Sequence, residues 1–327
     1  MKVLVLRMRE VDIGLIKDID HTDEIVIYGQ DVDIYDEKLY KGIDAVMYCD
    51  STQEVSEKYF EMLERNGIKA FGVKMTGYQQ VDLDAARKHG VTVCNVRGYS
   101  PNAISELTLA LALSLNRQIP EIGEDTHTHH FEIRYDMFKE IRDCTVGIIG
   151  TGKIGSTTAK MFRDLGSRVL GYDPFPNENN KQVLEYADLE TLQKECDIVI
   201  VHSLYIKDQN YHLVSKEFIS KLKPGCVLIN TARGELVDLS AVIEKVKKNE
   251  LLYGCDVLEN EEDYFFKNED HIKKNRIIEE ALSLYPKIVV TPHIGANTIR
   301  ARKTMIEMCL DQLRELVLTG SCFNMVN

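Results

Sequence analysis

Tryptophan is absent from the 327 residues, and cysteine never occurs as a CxxC pair. The eight cysteines, Cys49, Cys94, Cys144, Cys196, Cys226, Cys255, Cys309 and Cys322, stand singly, most of them in apolar strand-like runs. That scatter argues against a disulfide framework and reads as reduced core thiols of a cytoplasmic protein. No apolar run approaches the roughly 20 residues of a membrane helix. The longest, 103–115, is broken by Ser105, Glu106 and Thr108. The apolar run at Val3–Leu6 is too short for a signal peptide and reads as a first buried strand. Positive charge is also in deficit: 40 Lys and Arg against 52 Asp and Glu leave a net charge of −12. Such a surface repels phosphate backbones and anionic lipid, so neither nucleic acid nor membrane is an expected partner.

Apolar residues at 44% are enough for a sizeable core, and the length suggests two domains. Short apolar strands are predicted at 3–6, 25–28, 45–48, 69–73 and 91–93, with helices between them at 54–66 and 82–89. A second series follows a boundary near Tyr99–Pro101. Its strands are predicted at 145–149, 168–172, 197–201, 226–230, 253–257 and 287–290, and its helices at 101–117, 153–165, 215–221 and 239–248. A last helix is expected at 298–318, with Gly320 just past its end. This alternation predicts an α/β fold: two Rossmann-like or flavodoxin-like doubly wound parallel sheets in two lobes with a cleft between them. The helix at 101–117 carries the stripe Ile104, Leu107, Leu111 and Leu115. The polar stretch 121–138 reads as surface loop, and the charge-rich stretch 259–274 as a surface insertion. His127, His129 and His130 fit neither one helical face nor a zinc pattern, so no metal site is expected.

Gly150-Thr151-Gly152-Lys153-Ile154-Gly155 is a G-x-G-x-x-G that closes a predicted strand and opens a predicted helix. Gly150 allows the tight turn, Gly152 lets a pyrophosphate approach the backbone, and Gly155 lets helix and strand pack closely. The helix N-terminus offers unpaired N–H groups to phosphate. Asp173 ends the next strand, 23 residues after Gly150. A carboxylate there binds ribose hydroxyls and repels a 2′-phosphate, which favours NAD over NADP. NADP and S-adenosylmethionine are the competing ligands of such a turn.

Three polar residues follow later strands: Arg233 after 226–230, a run of acids (Glu259, Glu261, Glu262) after 253–257, and His293 after 287–290. Loops at strand C-termini line the ligand crevice of an open α/β sheet. A guanidinium grips a carboxylate through two parallel hydrogen bonds and polarises the neighbouring carbonyl. An imidazolium donates a proton to the carbonyl oxygen, and a nearby carboxylate favours that protonated form and orients the ring. Each residue alone is ordinary surface or loop polarity. Together, in order behind a dinucleotide turn, they read as the machinery for reducing a 2-keto acid.

With these motifs the sequence resembles the D-isomer-specific 2-hydroxyacid dehydrogenase family, and within it the D-lactate dehydrogenase branch, over nearly the whole chain. The resemblance rests on Gly150–Gly155, Asp173, Thr231-Ala232-Arg233-Gly234, Asp256-Val257 and Thr291-Pro292-His293. The closer likeness lies in 99–104 and in the run from Asp256 to Phe266. It implies a substrate domain of 1–100 plus 297–327 and a nucleotide domain of 101–296. It also implies catalytic Arg233, His293 as proton donor, and Glu261 as its partner, since Glu261 stands five residues after Asp256. Implied cofactor contacts are Gly150, Gly152, Lys153, Ile154, Gly155, Asp173, Ser203, Leu204, Asn210, Thr231, Ala232 and Asp256. Implied substrate contacts are Thr76, Gly77, Tyr78, Tyr99 and Arg233. The resemblance further implies a homodimer and lobes that close over the substrate. The activity so implied is NAD-dependent reduction of pyruvate to D-lactate or of a bulkier 2-keto acid. An NAD(H)-sensing, corepressor-like binding protein on the same scaffold is the alternative.

Two departures matter. The family commonly has His-x-Pro after its fourth nucleotide-domain strand, whereas this chain has His202-Ser203-Leu204. The lactate branch tends to place an aromatic pair after the catalytic histidine, whereas Ala296-Asn297 stand here. Losing that bulk enlarges the pocket or makes it more polar, so 2-ketoisocaproate and phenylpyruvate become candidate substrates.

Overall fold

The structure, a computed structural model, describes residues 1–19, 21–132, 138–265, 267 and 269–327. The end of the polar stretch (133–137) and Phe266 of the lactate-branch run lie outside the described residues. The chain divides into two compact units, Met1–Ser100 with Asn297–Asn327, and Pro101–Ala296.

The first unit is a parallel five-stranded sheet: β1 (Lys2–Leu6), β2 (Glu24–Ile27), β3 (Ala45–Tyr48), β4 (Ala70–Val73) and β5 (Thr92–Asn95), in the order β2-β1-β3-β4-β5. This is the flavodoxin-like order. The inner strands β1, β3 and β4 read as continuous apolar runs because both faces are covered. Val3 and Val5 face one core while Leu4 and Leu6 face the other, all fully buried. The helix Ile299–Thr319 packs Ile306, Cys309, Leu310, Leu313 and Leu316 into the Val3 and Val5 core. Thr298 caps its start by accepting from the Ala301 N–H at 3.2 Å, and Gly320 ends it at φ 78°.

The second unit holds seven parallel strands: β6 (Thr145–Ile149), β7 (Arg168–Tyr172), β8 (Glu185–Tyr186), β9 (Ile198–Val201), β10 (Cys226–Asn230), β11 (Leu251–Cys255) and β12 (Ile288–Val290). Their order is β12-β11-β10-β9-β6-β7-β8. The chain runs outward from β6 through β8 and then returns to β9, so β6 and β9 are neighbours where the winding reverses. Ligands of open α/β sheets bind outside the strand ends at such a reversal. Two expectations are corrected. Ile119–His127 is a helix rather than loop; Pro120 suits its first turn, and with no buried residue it lacks the apolar stripe that betrays a helix. β11 ends at Cys255, two residues before the expected Val257, so Asp256 leaves the sheet and enters the loop.

Candidate active site

Gly150 follows β6 with φ +93°, and a Cβ there would lie 2.4 Å from the Ser203 backbone nitrogen. Only glycine lets the turn meet the loop leaving β9. At Gly155 a Cβ would come within 2.0 Å of the Gly150 carbonyl oxygen, while at Gly152 it would meet nothing within 4 Å. The open side of the turn is therefore at Gly152. The helix Lys153–Asp164 starts there with neither a side-chain cap nor an acid in its first turn. Its N–H groups and positive dipole end are left for an anion. Asp173 is held at the end of β7: Oδ2 accepts from the Thr151 N–H at 2.8 Å and Oδ1 from the Phe175 N–H at 2.9 Å. These residues fit a dinucleotide with unmodified ribose hydroxyls.

His202 is tied back into the fold. Its Nε2 lies 2.9 Å from Thr158 Oγ1, Thr158 donates to Ser105 Oγ at 2.9 Å, and Ser105 donates to the Ile154 carbonyl at 3.3 Å. Thr158 spends its proton on Ser105, so His202 is the donor to Thr158. The residue keeps some accessible surface, yet desolvation pulls its imidazole down to about 3, so the ring is neutral. Asn210, an implied cofactor contact, bonds within its own loop. Its Oδ1 accepts from the Ile206 N–H at 2.8 Å, and its Nδ2 donates to the Leu204 carbonyl at 2.7 Å. Ser203 is half-buried and Leu204 exposed.

Beyond β10 the chain is set by Asn230, which is fully buried. Its Nδ2 donates to the Arg233 carbonyl at 2.8 Å and its Oδ1 accepts from the Ala232 N–H at 3.1 Å. Thr231 bonds Thr108 at 2.8 Å. Arg233 is exposed, with Nη1 donating to the Ala232 carbonyl at 2.7 Å. The next residue, Gly234, lies against the loop after β11: a Cβ would sit 2.0 Å from the Leu258 carbonyl carbon and 2.1 Å from the Glu259 nitrogen. The arginine loop is thus keyed to the segment that carries the acids.

In that segment Glu261 uses both oxygens. Oε2 accepts from the Leu258 N–H at 3.1 Å, and Oε1 lies 2.5 Å from His293 Nδ1. His293 adopts φ +53°, uncommon for a residue with a Cβ. Asp256 holds it there: the Asp256 carbonyl accepts from the His293 N–H at 2.9 Å. The Asp256 carboxylate accepts from Thr291 Oγ1 at 2.5 Å, the Ile294 N–H at 2.8 Å and the Gly295 N–H at 2.7 Å. Burial raises this carboxyl above the usual range, against those hydrogen bonds. Asp256 therefore builds the histidine loop, a role beyond the implied cofactor contact. Sequence reading also missed Ser105, Thr108, Thr158 and Asn230. Asn230 at the very end of an apolar strand was the one visible signal.

In the first unit, Thr76 donates to the Val96 carbonyl at 2.9 Å and Tyr78 packs against the core. Tyr99 packs on the opposite core, and a Cβ on Gly77 would approach Gln79 at 2.9 Å. Asn297 accepts from Arg302 Nη1 at 2.6 Å. The same guanidinium forks onto the buried Asp12, which also pairs with Lys74 at 2.5 Å. Of the three clustered imidazoles, His127 bonds the Gly123 carbonyl and His130 bonds Thr128. Among the described residues no three His, Cys, Asp or Glu side chains gather as metal ligands, and no helix is long and apolar enough to cross a membrane.

The model of the D-isomer specific 2-hydroxyacid dehydrogenase NAD binding domain matches residues 109–295, more than half of the chain. The chain belongs to that family. Among its relatives, an aromatic 2-oxoacid reductase of Clostridium sporogenes is 35% identical over 334 residues, covering 99% of this chain and 98% of the relative. A D-lactate dehydrogenase of Staphylococcus aureus is 33% identical over 296 residues, 89% of this chain and 87% of the relative. The NAD complexed form of a D-isomer specific 2-hydroxyacid dehydrogenase from Lactobacillus delbrueckii ssp. bulgaricus superposes with a TM-score of 0.92 at 29% identity, covering all of both chains. This dehydrogenase is accordingly an NAD-dependent oxidoreductase of the D-2-hydroxyacid family. The corepressor-like alternative finds no support among these relatives.

Proposed function

We propose that the protein reduces a bulky 2-keto acid to the D-2-hydroxy acid, with Arg233, His293 and Glu261 as its catalytic residues. The observation that carries the chemistry is the His293–Glu261 contact of 2.5 Å, made by a carboxylate already fixed by the Leu258 N–H. Bound NADH supplies the hydride. Gly150, Gly152, Lys153, Ile154, Gly155 and Asp173 hold it, with the Ser203–Leu204, Asn210, Thr231–Ala232 and Asp256 stretches as further contacts. Arg233 grips the substrate carboxylate and draws electron density from the adjacent carbonyl. His293 gives its ring proton to the carbonyl oxygen from Nε2, because Nδ1 is engaged with Glu261. Glu261 keeps that orientation and balances the imidazolium charge. Thr76, Gly77, Tyr78 and Tyr99 belong to the same proposal as substrate contacts.

Bulk is favoured because Ala296 and Asn297 stand where the lactate branch tends to have aromatic rings. The likeness to an aromatic 2-oxoacid reductase supports the same choice. The test is NADH oxidation with pyruvate, 2-ketobutyrate, 2-ketoisocaproate and phenylpyruvate, with product chirality determined. A higher kcat/KM for the last two, with D products, is the expected result; a strong pyruvate preference overturns the bulky-substrate reading. We further infer a cytoplasmic homodimer. Eight buried free thiols suit a reducing compartment, and the helix Ile119–His127, with Ile119 57% exposed, offers a face for a second copy.

A further inference from the structure

The loop leaving β9 touches both ends of the site. At its start, His202 and Ser203 lie against the glycine turn at Gly150. At its far end it reaches the acid segment. The Tyr211 hydroxyl donates to Glu259 at 3.0 Å (Oε1) and 3.2 Å (Oε2), and His212 Nε2 lies 3.4 Å from Glu259 Oε2. The two rings stack with centroids 3.9 Å apart and planes 17° from parallel, so phenol and imidazole meet the carboxylate side by side. Tyr211 is half-exposed, yet partial desolvation of its hydroxyl and the Glu259 carboxylate push the phenol up, which keeps it a donor. His212 holds φ +50°, and its N–H donates to the Glu235 carbonyl at 2.8 Å. The next residues are fixed as well, since Val214 bonds the Leu236 carbonyl and forms a bridge with Val237.

The Glu259 backbone packs closely against the arginine loop. Its nitrogen presses on Gly234, beside Arg233. Leu258 before it donates to Glu261, and Asn260 after it takes the left-handed φ of +60° that turns the chain toward Glu261. A carboxylate anchored at Glu259 therefore fixes a four-residue segment from which both the arginine loop and the histidine partner take their position.

We propose that Glu259 is a positioning residue for the reduction, acting through its clasp on Tyr211 and His212. Glu259 sets the segment that aligns Arg233 and His293, and it couples that segment to the loop which begins at the glycine turn. The inference rests on the catalytic roles proposed above for Arg233, Glu261 and His293.

The test is a substitution series read by kcat, KM, NADH affinity from fluorescence, and melting temperature. Glu259→Ala lowers kcat about tenfold, as expected when a charge-assisted bond that aligns reacting groups is lost. Its NADH affinity falls by less than kcat does, within about threefold, because the glycine turn is untouched and Asn210 stays tied to Leu204 and Ile206 of its own loop. Glu259→Gln keeps an acceptor for Tyr211 and restores kcat to within about threefold of the unsubstituted protein. Tyr211→Phe keeps the ring stack and removes one donor, for a loss of about threefold. In the double variant Glu259→Ala/Tyr211→Phe, kcat is no lower than in Glu259→Ala alone, since both act through one contact. A Glu259→Ala kcat within twofold of the unsubstituted protein, or losses that multiply in the double variant, overturns the inference. Turnover of none of the keto acids by the unsubstituted protein instead overturns the reading on which it rests.

Discussion

Replacing Gly234 with alanine tests the idea that the arginine loop and the acid segment share one register. The new Cβ would stand 2.0 Å from the Leu258 carbonyl carbon, 2.4 Å from its oxygen and 2.1 Å from the Glu259 nitrogen, whereas ordinary contact begins near 3.4 Å. All three obstacles are backbone atoms, so no rotamer change relieves them. The loops after β10 and β11 must part by about 1.4 Å, the difference between 3.4 and 2.0 Å. Misplacement of a reacting group by about 1 Å costs on the order of 100-fold in rate. We therefore expect kcat/KM for the keto acid to fall ~100-fold, equivalent to about 2.7 kcal/mol of transition-state stabilisation. Overpacking costs about 1–3 kcal/mol of stability, so the melting temperature falls modestly. Affinity for NADH falls by less than kcat/KM does, about tenfold at most, because the proposed Thr231–Ala232 and Asp256 contacts lie in the parted loops while the Gly150–Gly155 turn and Asp173 stay in place. The control is Gly29→Ala, where a Cβ meets nothing within 4 Å; its kinetics and stability stay near those of the unsubstituted protein. Steady-state NADH oxidation and fluorescence binding supply the readings. A Gly234→Ala protein with unaltered kcat/KM refutes the shared register.

Three further outcomes follow from the cofactor side of the second unit. Gly152→Ala has open space for its Cβ, so it folds with an unchanged melting temperature while NADH binds at least ~10-fold more weakly; unchanged affinity removes Gly152 from the phosphate site. Asp173→Ala raises the KM for NADH and narrows the preference over NADPH, measured with both cofactors; an unchanged KM counts against the ribose assignment. His202 titrates at about 3 in the fold against 6.5 for the free group. The unfolded chain therefore takes up a proton as pH falls below 6.5 and the native one does not, so stability is lost toward acid. Between pH 6.5 and 4 this amounts to on the order of 3 kcal/mol, and His202→Gln removes it. Urea unfolding of both proteins across that range checks the sign, and parallel curves contradict it.

The sheets were readable in the sequence because buried parallel strands are short apolar runs. β3, β6, β7 and β10 fall at their expected bounds. The glycine turn, Asp173 and the order Arg233, Glu261, His293 were readable because each follows such a run. What escaped were features that depend on contacts far along the chain. The two-residue β8 offers no pattern, and the helix Ile119–His127 has no buried face to give it a stripe. The helix at Pro101–Asn116 buries Ser105 and Thr108 beside its apolar residues, since their hydroxyls find partners at Thr158 and Thr231. Asp256 reads as one acid among several, and only the fold shows its carboxylate gathering the loop that carries His293.

Reduction of the keto acid turns on His293, oriented by Glu261, as the proposed donor of the proton. The most direct measurement is kcat of His293→Gln at saturating keto acid and NADH, with NADH affinity determined on the same protein. Loss of a positioned acid predicts a fall of ~100-fold to ~10,000-fold in kcat with NADH binding intact. Turnover at the unsubstituted rate contradicts the account.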